Sequence, residues 1–203
     1  MTPDDVAHMA MTVRLADGTP LHLRPVVPAD APLIAEGFER LSPESRFLRF
    51  FSPLNHLSEA QLHYFTEIDY VDHFAWVAWV DADDGGQLGV GVARYIRSRL
   101  HPHAAEAAVA VADDFHRRGI GSVLIESLAA VALTRDIVKF HLLVRTDNLA
   151  MIAAMVDLGA ERVDNDDPSV LRFEIDLQQL ADDLRSTPVG SVFRLIAGAG
   201  PTH

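Results

Sequence analysis

Ala105-Glu106-Ala107-Ala108-Val109-Ala110-Val111-Ala112-Asp113-Asp114, followed at once by Phe115-His116-Arg117-Arg118-Gly119-Ile120-Gly121-Ser122, is the part of this chain that decides its fold. The Ala/Val run from Ala105 to Ala112 reads as a strand that stops at the two aspartates, and Val123, Leu124, Leu128 and Val131 then repeat as one face of a helix. A strand, a glycine loop and a helix in that order aim unpaired backbone N–H groups and the positive end of the helix dipole at whatever sits above the loop. A pyrophosphate suits such a loop, and Arg117 and Arg118 add charge for an anion. The Lys-Ser/Thr ending of a P-loop is absent, and one Gly-x-Gly is not the three-glycine dinucleotide fingerprint. Taken alone, Gly-x-Gly reads equally well as a tight strand-to-helix turn.

Working outward, Phe140 to Val144 is a second buried strand, and Thr146-Asp147-Asn148 caps a helix that stops at Leu158-Gly159. Leu171 to Leu177 is a last strand, followed by an amphipathic turn or two to Leu184 and a Gly/Pro-punctuated tail. Upstream, Val13 to Arg24 alternates around Asp17-Gly18-Thr19 as a hairpin, with Asp30 as the N-cap of a helix through Leu33, Ile34, Phe38 and Leu41. Ser42-Pro43 restarts a helix through Phe47, Leu48 and Phe51, Ser58 and Gln61 form a capping box, and Phe74 to Val80 and Leu88 to Ile96 pair as antiparallel strands. The pattern is α/β, more strictly mixed α+β.

The chain has 203 residues, 49% of them hydrophobic, enough to bury about 70% of the unfolded surface in one core. Lys+Arg 17 against Asp+Glu 29 leaves a formal net charge of -12, the reverse of what binding a phosphate backbone needs, so nucleic acid is not an expected partner. No apolar run approaches a membrane span and the first residues are acidic, so no membrane association and a cytoplasmic location are expected. With Cys 0, disulfides, thiolate nucleophiles and cysteine-type metal sites drop out together. His101-Pro102-His103 lacks a convergent third ligand in sequence, so no metal is expected, while His141 stands where it could relay a proton. Arg94, Arg97 and Arg99 read as solvated residues, with contact to phosphates as the alternative.

The loop resembles the signature of the GCN5-related N-acetyltransferase (GNAT) superfamily, Gln/Arg-x-x-Gly-x-Gly/Ala, on His116, Arg117, Arg118, Gly119, Ile120 and Gly121, with only the first residue departing. A later motif of that superfamily is matched by Asn148, Met151, Ile152, Met155, Leu158 and Gly159. Leu41-Ser42-Pro43-Glu44-Ser45, Leu48-Arg49-Phe50-Phe51, Asp69-Tyr70-Val71-Asp72 and Ala105-Glu106 further resemble the bacterial protein lysine acetyltransferases of the Pat group, over roughly residues 12 to 177. The resemblance implies a single GNAT domain over residues 12–178, with a flexible N-terminus over 1–11 and a C-terminal helix and tail over 179–203. It implies a central twisted mixed sheet of six to seven strands with helices on both faces, splayed beside Glu106. Some members of the Pat group carry a cyclic-nucleotide-binding or acyl-CoA-synthetase-like domain. The residues before Val13 are too few to encode either, so regulation of that kind is not expected here.

For chemistry, the resemblance implies direct acetyl transfer from acetyl-CoA to an amine, with no metal and no covalent intermediate. It places the co-substrate on Ala108, Val109, Ala110, His116, Arg117, Arg118, Gly119, Ile120, Gly121, Ser122 and Asn148. A lysine amine with a pKa of ~10.4 is only ~0.1% free base near neutral pH, a deficit of ~4 kcal/mol that a general base repairs in part. Glu106 matches the catalytic glutamate of the Pat group and is taken as that base. By period two, Glu106, Ala108, Ala110 and Ala112 share one face, whose small methyl groups leave room. Met155 stands where many GNAT enzymes place a Tyr general acid, so no acid carries over. The acceptor is a protein lysine or a small amine, and an acyl-CoA-binding sensor without turnover is the remaining alternative. The tail segment Val192-Phe193-Leu195-Ile196 is apolar, suited either to the acceptor cleft or to a homodimer contact.

Overall fold

The computed structural model describes residues 2–184, and the apolar tail segment lies outside them. The helices are α1 (Pro3–Val6), α2 (Ala31–Glu39), α3 (Pro43–Phe50), α4 (Glu59–Thr66), α5 (Ile120–Leu133), α6 (Leu149–Asp157) and α7 (Leu177–Leu184). The strands are β1 (Met11–Arg14), β2 (Pro20–Pro25), β3 (His73–Asp81), β4 (Gln87–Arg97), β5 (Ala104–Val111), β6 (Lys139–Arg145), β7 (Glu161–Val163) and β8 (Val170–Asp176). They form one mixed eight-stranded sheet in the order β1-β2-β3-β4-β5-β6-β8-β7. The expectation of six to seven strands is corrected to eight, because the edge strand Glu161-Arg162-Val163 is too short and too polar to show an alternation. The chain divides into two compact units, Met1–Arg94 with Val109–Leu124, and Tyr95–Ala108 with the described residues from Ile125 onward.

In the first unit, β1 and β2 make the expected hairpin, with Met11 opposite Leu23 and Arg14 opposite Pro20. Val6 of α1 is buried, at 1% exposure. Ile34, on the inner face of α2, packs in a cluster with Val26, Ala75 and Val77, to which Leu33, Leu62, Ile68 and Val92 add. Ser42 caps α3 by accepting from the Ser45 backbone N–H at 3.1 Å, and Ser58 and Gln61 exchange both bonds of the capping box on α4. Asp30 precedes α2 as expected, but its carboxylate makes no cap bond. It instead accepts two bonds of 2.6 Å from the Arg24 guanidinium and one from the Val27 N–H, since a carboxylate this deeply buried needs a paired cation. Gly91 on β4 has a steric reason that sequence did not reveal. A Cβ there would lie 2.8 Å from Leu124 Cδ1 and 3.2 Å from the Ala110 carbonyl.

In the second unit, β6 pairs antiparallel with β8 from Lys139↔Asp176 to Arg145↔Val170, and β7 adds to the far edge of β8. Phe140, Leu142 and Val144 alternate inward against Phe173 and Ile175, the period expected of strands buried on one face. Ile125, Leu128, Ala129 and Ala132 of α5 are buried, and so is Glu126, at 4% exposure. Its Oε2 has no hydrogen-bond partner among the described residues, and burial pushes its carboxyl up to about 7. An unfolded glutamate ionises near its ordinary value, so between there and about 7 the unfolded chain ionises first and stability falls as pH rises. The cost, complete above pH 7, is about 3 kcal/mol. Glu126→Gln removes this dependence. Denaturant unfolding from pH 5 to 8 is expected to show wild type losing stability relative to the variant across that range, and parallel pH curves would show that Glu126 does not ionise in this way.

Candidate active site

The glycine loop belongs to the first unit. β5 ends at Val111, and the Ala112 N–H continues toward β4 by donating to the Val90 carbonyl at 2.9 Å. A 3-10 turn over Asp113–Phe115 leads to His116, and Arg117 and Gly119 then take positive φ angles of 60° and 82° before α5 begins. Gly119 has open space around its Cα, so the backbone angle and not crowding is what asks for glycine. Left-handed residues beside a helix N-terminus turn successive N–H groups to one side, the concave arrangement that takes anions. The expected strand, loop and helix are all present in order.

Side chains from distant segments hold this loop. Arg118 donates to Asp17 at 2.9 and 2.6 Å and to Thr19 Oγ1 at 2.7 Å, and its guanidinium lies over the Phe115 ring. The Thr19 N–H and hydroxyl, and then Arg118, hold the Asp17 carboxyl down at about 2. Asp113 accepts from the Ser42 N–H at 2.7 Å and from the Ser45 hydroxyl at 2.5 Å. Burial raises the Asp113 carboxyl, and these bonds more than reverse the effect. The side chain of Arg118, read from sequence as charge for an anion, is thus committed to the hairpin turn, and Arg117 is the exposed loop cation with no partner among the described residues. His116, where the signature has Gln or Arg, folds back to donate from Nε2 to the Val111 carbonyl at 2.9 Å. Ile120 is buried, while Gly121 and Ser122 are partly exposed in the first turn of α5.

Glu106 lies in the second unit. β5 pairs in parallel with β6 through Ala104↔Lys139, Ala105↔Phe140 and Glu106↔His141, and among the described residues the register ends there although both strands run on. This is the splay expected beside Glu106. Along β5, Ala105, Ala107 and Val109 are buried, whereas Glu106 is exposed and Ala108 and Ala110 are partly so. The phase read from sequence therefore holds, with the carboxylate and two small side chains on the open face. Beyond the fork the β5 edge facing β6 has no ladder partner there, which frees backbone groups for an extended ligand.

Asn148 caps α6, its Oδ1 accepting from the Met151 N–H at 3.1 Å, which leaves its amide NH2 as the group with donors to spare. Met155 is fully buried, so the position matching the usual Tyr faces the interior. Arg94 corrects the solvated reading. It is 6% exposed, donates to His73 Nε2 and the Phe65 carbonyl and stacks on the Phe65 ring, and burial lowers it to about 9. Arg97 donates to the Pro102 and Arg135 carbonyls. His103 contacts the Asp136 carbonyl, and no group of three or more His, Cys, Asp or Glu able to hold a metal occurs among the described residues. No described helix is long and apolar enough to cross a membrane.

Comparison with known proteins agrees with this geometry. Residues 45–160 match the model of the acetyltransferase (GNAT) family. The acetyltransferase Pat of Mycolicibacterium smegmatis is 36% identical over 167 residues, 81% of this chain and 48% of that protein, so the chain spans about half of this relative. An acetyltransferase of Pseudomonas aeruginosa is 32% identical over 71% of the chain and 77% of its own length. The crystal structure of the GNAT domain of S. lividans PAT superposes with a TM-score of 0.77 at 33% identity, covering 84% of this chain and 98% of that one. The glycine loop between β5 and α5, the parallel strands that part at Glu106, and these matches together place the chain in the GNAT family of acetyltransferases.

Proposed function

We propose that the chain transfers the acetyl group of acetyl-CoA to lysine ε-amino groups of proteins in the cytoplasm, by direct attack with Glu106 as general base. The observation that carries this reading is the end of the β5–β6 ladder at Glu106, with the carboxylate exposed at the fork. From Glu106 the same strand continues through Ala108, Val109 and Ala110 to the anion loop, so the chemistry and the anchoring lie along one stretch of chain. In this reading the N–H groups of Gly119, Ile120, Gly121 and Ser122 and the Arg117 side chain receive the pyrophosphate, helped by backbone of His116 and Arg118. The pantetheine arm pairs with the β5 backbone at Ala108 to Ala110. A strand N–H beside the thioester carbonyl stabilises the charge that develops on oxygen.

Glu106 takes a proton from the acceptor ammonium, and the amine lone pair then attacks the thioester carbon. The exposed position of Glu106 suits transfer of that proton through water. The leaving thiolate, with a pKa near the ~8.5 of a cysteine thiol, can take its proton from water, so the chemistry does not demand an acid at Met155. A protein lysine is preferred over a small amine as acceptor on the sequence resemblance to the protein lysine acetyltransferases of the Pat group, a resemblance that the similarity to Pat and to the S. lividans PAT domain supports. The buried Met155 favours a second reading, a sensor that binds acyl-CoA without turnover.

The absence of cysteine allows a thiol reagent to report CoA release without background from the protein. With size-fractionated cell extract as acceptor, the high-mass fraction is expected to drive release that falls at least tenfold in Glu106→Gln. Release with only the low-mass fraction marks a small-amine enzyme, and acetyl-CoA binding with no release from either marks the sensor. Gly119→Val, which forces a β-branched residue toward a φ of 82°, is expected to raise the acetyl-CoA dissociation constant at least tenfold by calorimetry. Unchanged affinity would remove the loop from the binding site.

A further inference from the structure

Arg94, on β4 in the first unit, is a buried cation, and among the described residues no carboxylate pairs with it. The contrast is with Arg24 in the same unit, whose guanidinium is met by both oxygens of Asp30 at 2.6 Å. Arg94 donates instead to two neutral acceptors, His73 Nε2 at 3.0 Å from Nη1 and the Phe65 carbonyl at 3.3 Å from Nη2. A guanidinium has no acceptor, so the His73 proton sits on Nδ1 and the ring is neutral. Burial, and then the charge of Arg94, push this imidazole down to about 4, so it stays neutral at neutral pH. Asp69, four residues before His73, spends its Oδ1 on the N–H groups of Val71, Asp72 and His73. Burial lowers Arg94 to about 9, which still leaves it charged at neutral pH. A buried charge without a counter-ion costs stability, and Arg94 keeps three of its five N–H donors for another partner.

A second cation stands nearby. Arg49 of α3 lies over the Phe50 ring at 5.0 Å, the Phe50 and Phe65 rings are 6.2 Å apart, and Arg94 lies over Phe65 at 4.4 Å. The charge of Arg49 disfavours that of Arg94, so the two are close enough to repel. Exposed Tyr64 packs its ring on Phe65 and His73 at the edge of this cluster. None of the contacts of Arg94 is with the glycine loop. We propose that Arg94, with Arg49, forms a second anion site that takes the carboxylate of an aspartate or glutamate side chain in the acceptor polypeptide. This deepens the reading of a protein acceptor and rests on it. A carboxylate suits the place better than a phosphate, because one charge costs less than two to bring among aromatic rings. Its two oxygens also match the planar fork of a guanidinium. Neutral His73 and the Phe65 carbonyl fix that plane without cancelling its charge, which is thereby kept for the ligand. In a chain of formal net charge -12, a local positive site selects an acidic segment that the rest of the surface repels.

The test gives full-length wild type, Arg94→Lys and Arg49→Glu acetyl-CoA and a synthetic peptide library with one central lysine and randomised flanks. Acetylated peptides are read by mass spectrometry, with acetyl-CoA calorimetry and circular dichroism alongside. Wild type is expected to enrich Asp or Glu at a flanking position about fivefold or more. The single ammonium of Arg94→Lys cannot serve His73, the Phe65 carbonyl and a carboxylate together, so enrichment is expected to fall below about twofold. Arg49→Glu, which offers Arg94 a carboxylate of its own, is expected to do the same, with acetyl-CoA affinity within about twofold of wild type. A merely structural role lowers turnover on every peptide alike and leaves the enrichment in place. If Arg94→Lys does not fold, Arg49→Glu alone decides. No acidic enrichment in wild type, or enrichment that survives the substitutions, overturns the site and leaves the protein acceptor standing. Acetyl-CoA affinity that falls about tenfold in the variants also overturns it, by assigning the arginines to a phosphate of the co-substrate. Wild type that acetylates no peptide of the library overturns the protein acceptor and this site together.

Discussion

Three residue pairs hold β5 against β6, and the ladder then stops while both strands continue. This termination is the constraint on which the functional architecture depends. Parallel strands that stayed paired would satisfy their backbone groups internally and bury the row of small side chains. By ending at Glu106↔His141, the sheet keeps a rigid origin for the fork and leaves a strip of strand edge available for a ligand. The closing pair also fixes which residues stand at the fork. A shift of one residue would turn Glu106 to the buried face and bring Ala105 or Ala107 to the open one.

Carboxylates stand in two distinct kinds of surroundings in this molecule. Asp113, Asp17 and Asp30 each accept several strong bonds, which make them fasteners. Glu106 is exposed on a strand and makes no such bonds among the described residues, the condition in which a carboxylate can exchange protons with a passing amine. Glu174 falls between the two, bonded by Lys139 and facing His141, and so suited to orient a ring.

The parts of the fold legible in the sequence were those written locally. Ser42, Ser58 and Asn148 all cap helices as their spacing indicates, and the Ala105 to Ala112 phase correctly places Glu106 on the open face, because caps and strand alternation depend on residues within a few positions. The misses involve distant partners. Arg118 looks like loop charge until the hairpin turn closes on it, Arg94 looks solvated until α4 presents the Phe65 ring and carbonyl, and Gly91 looks incidental until Leu124 arrives beside it. The meeting of His141 with Glu174 depends on the register of β6 with β8, which a single sequence does not encode in readable form. The proposal of Glu106 as the base rests on family resemblance, since an exposed glutamate on a strand has no distinctive local pattern.

The bonds that fasten the glycine loop also set when it takes shape as the chain folds. Arg118 meets Asp17 across 101 positions of sequence, and Asp113 meets Ser42 and Ser45 across 71 and 68. Contacts of that span close late, because the loop entropy must be spent before they return any stabilisation. During synthesis the hairpin and the start of α3 leave the ribosome well before the loop does, so its fasteners are waiting when it emerges. In a chain refolding from denaturant no such order is imposed, and closure of the loop lags behind recovery of helix content.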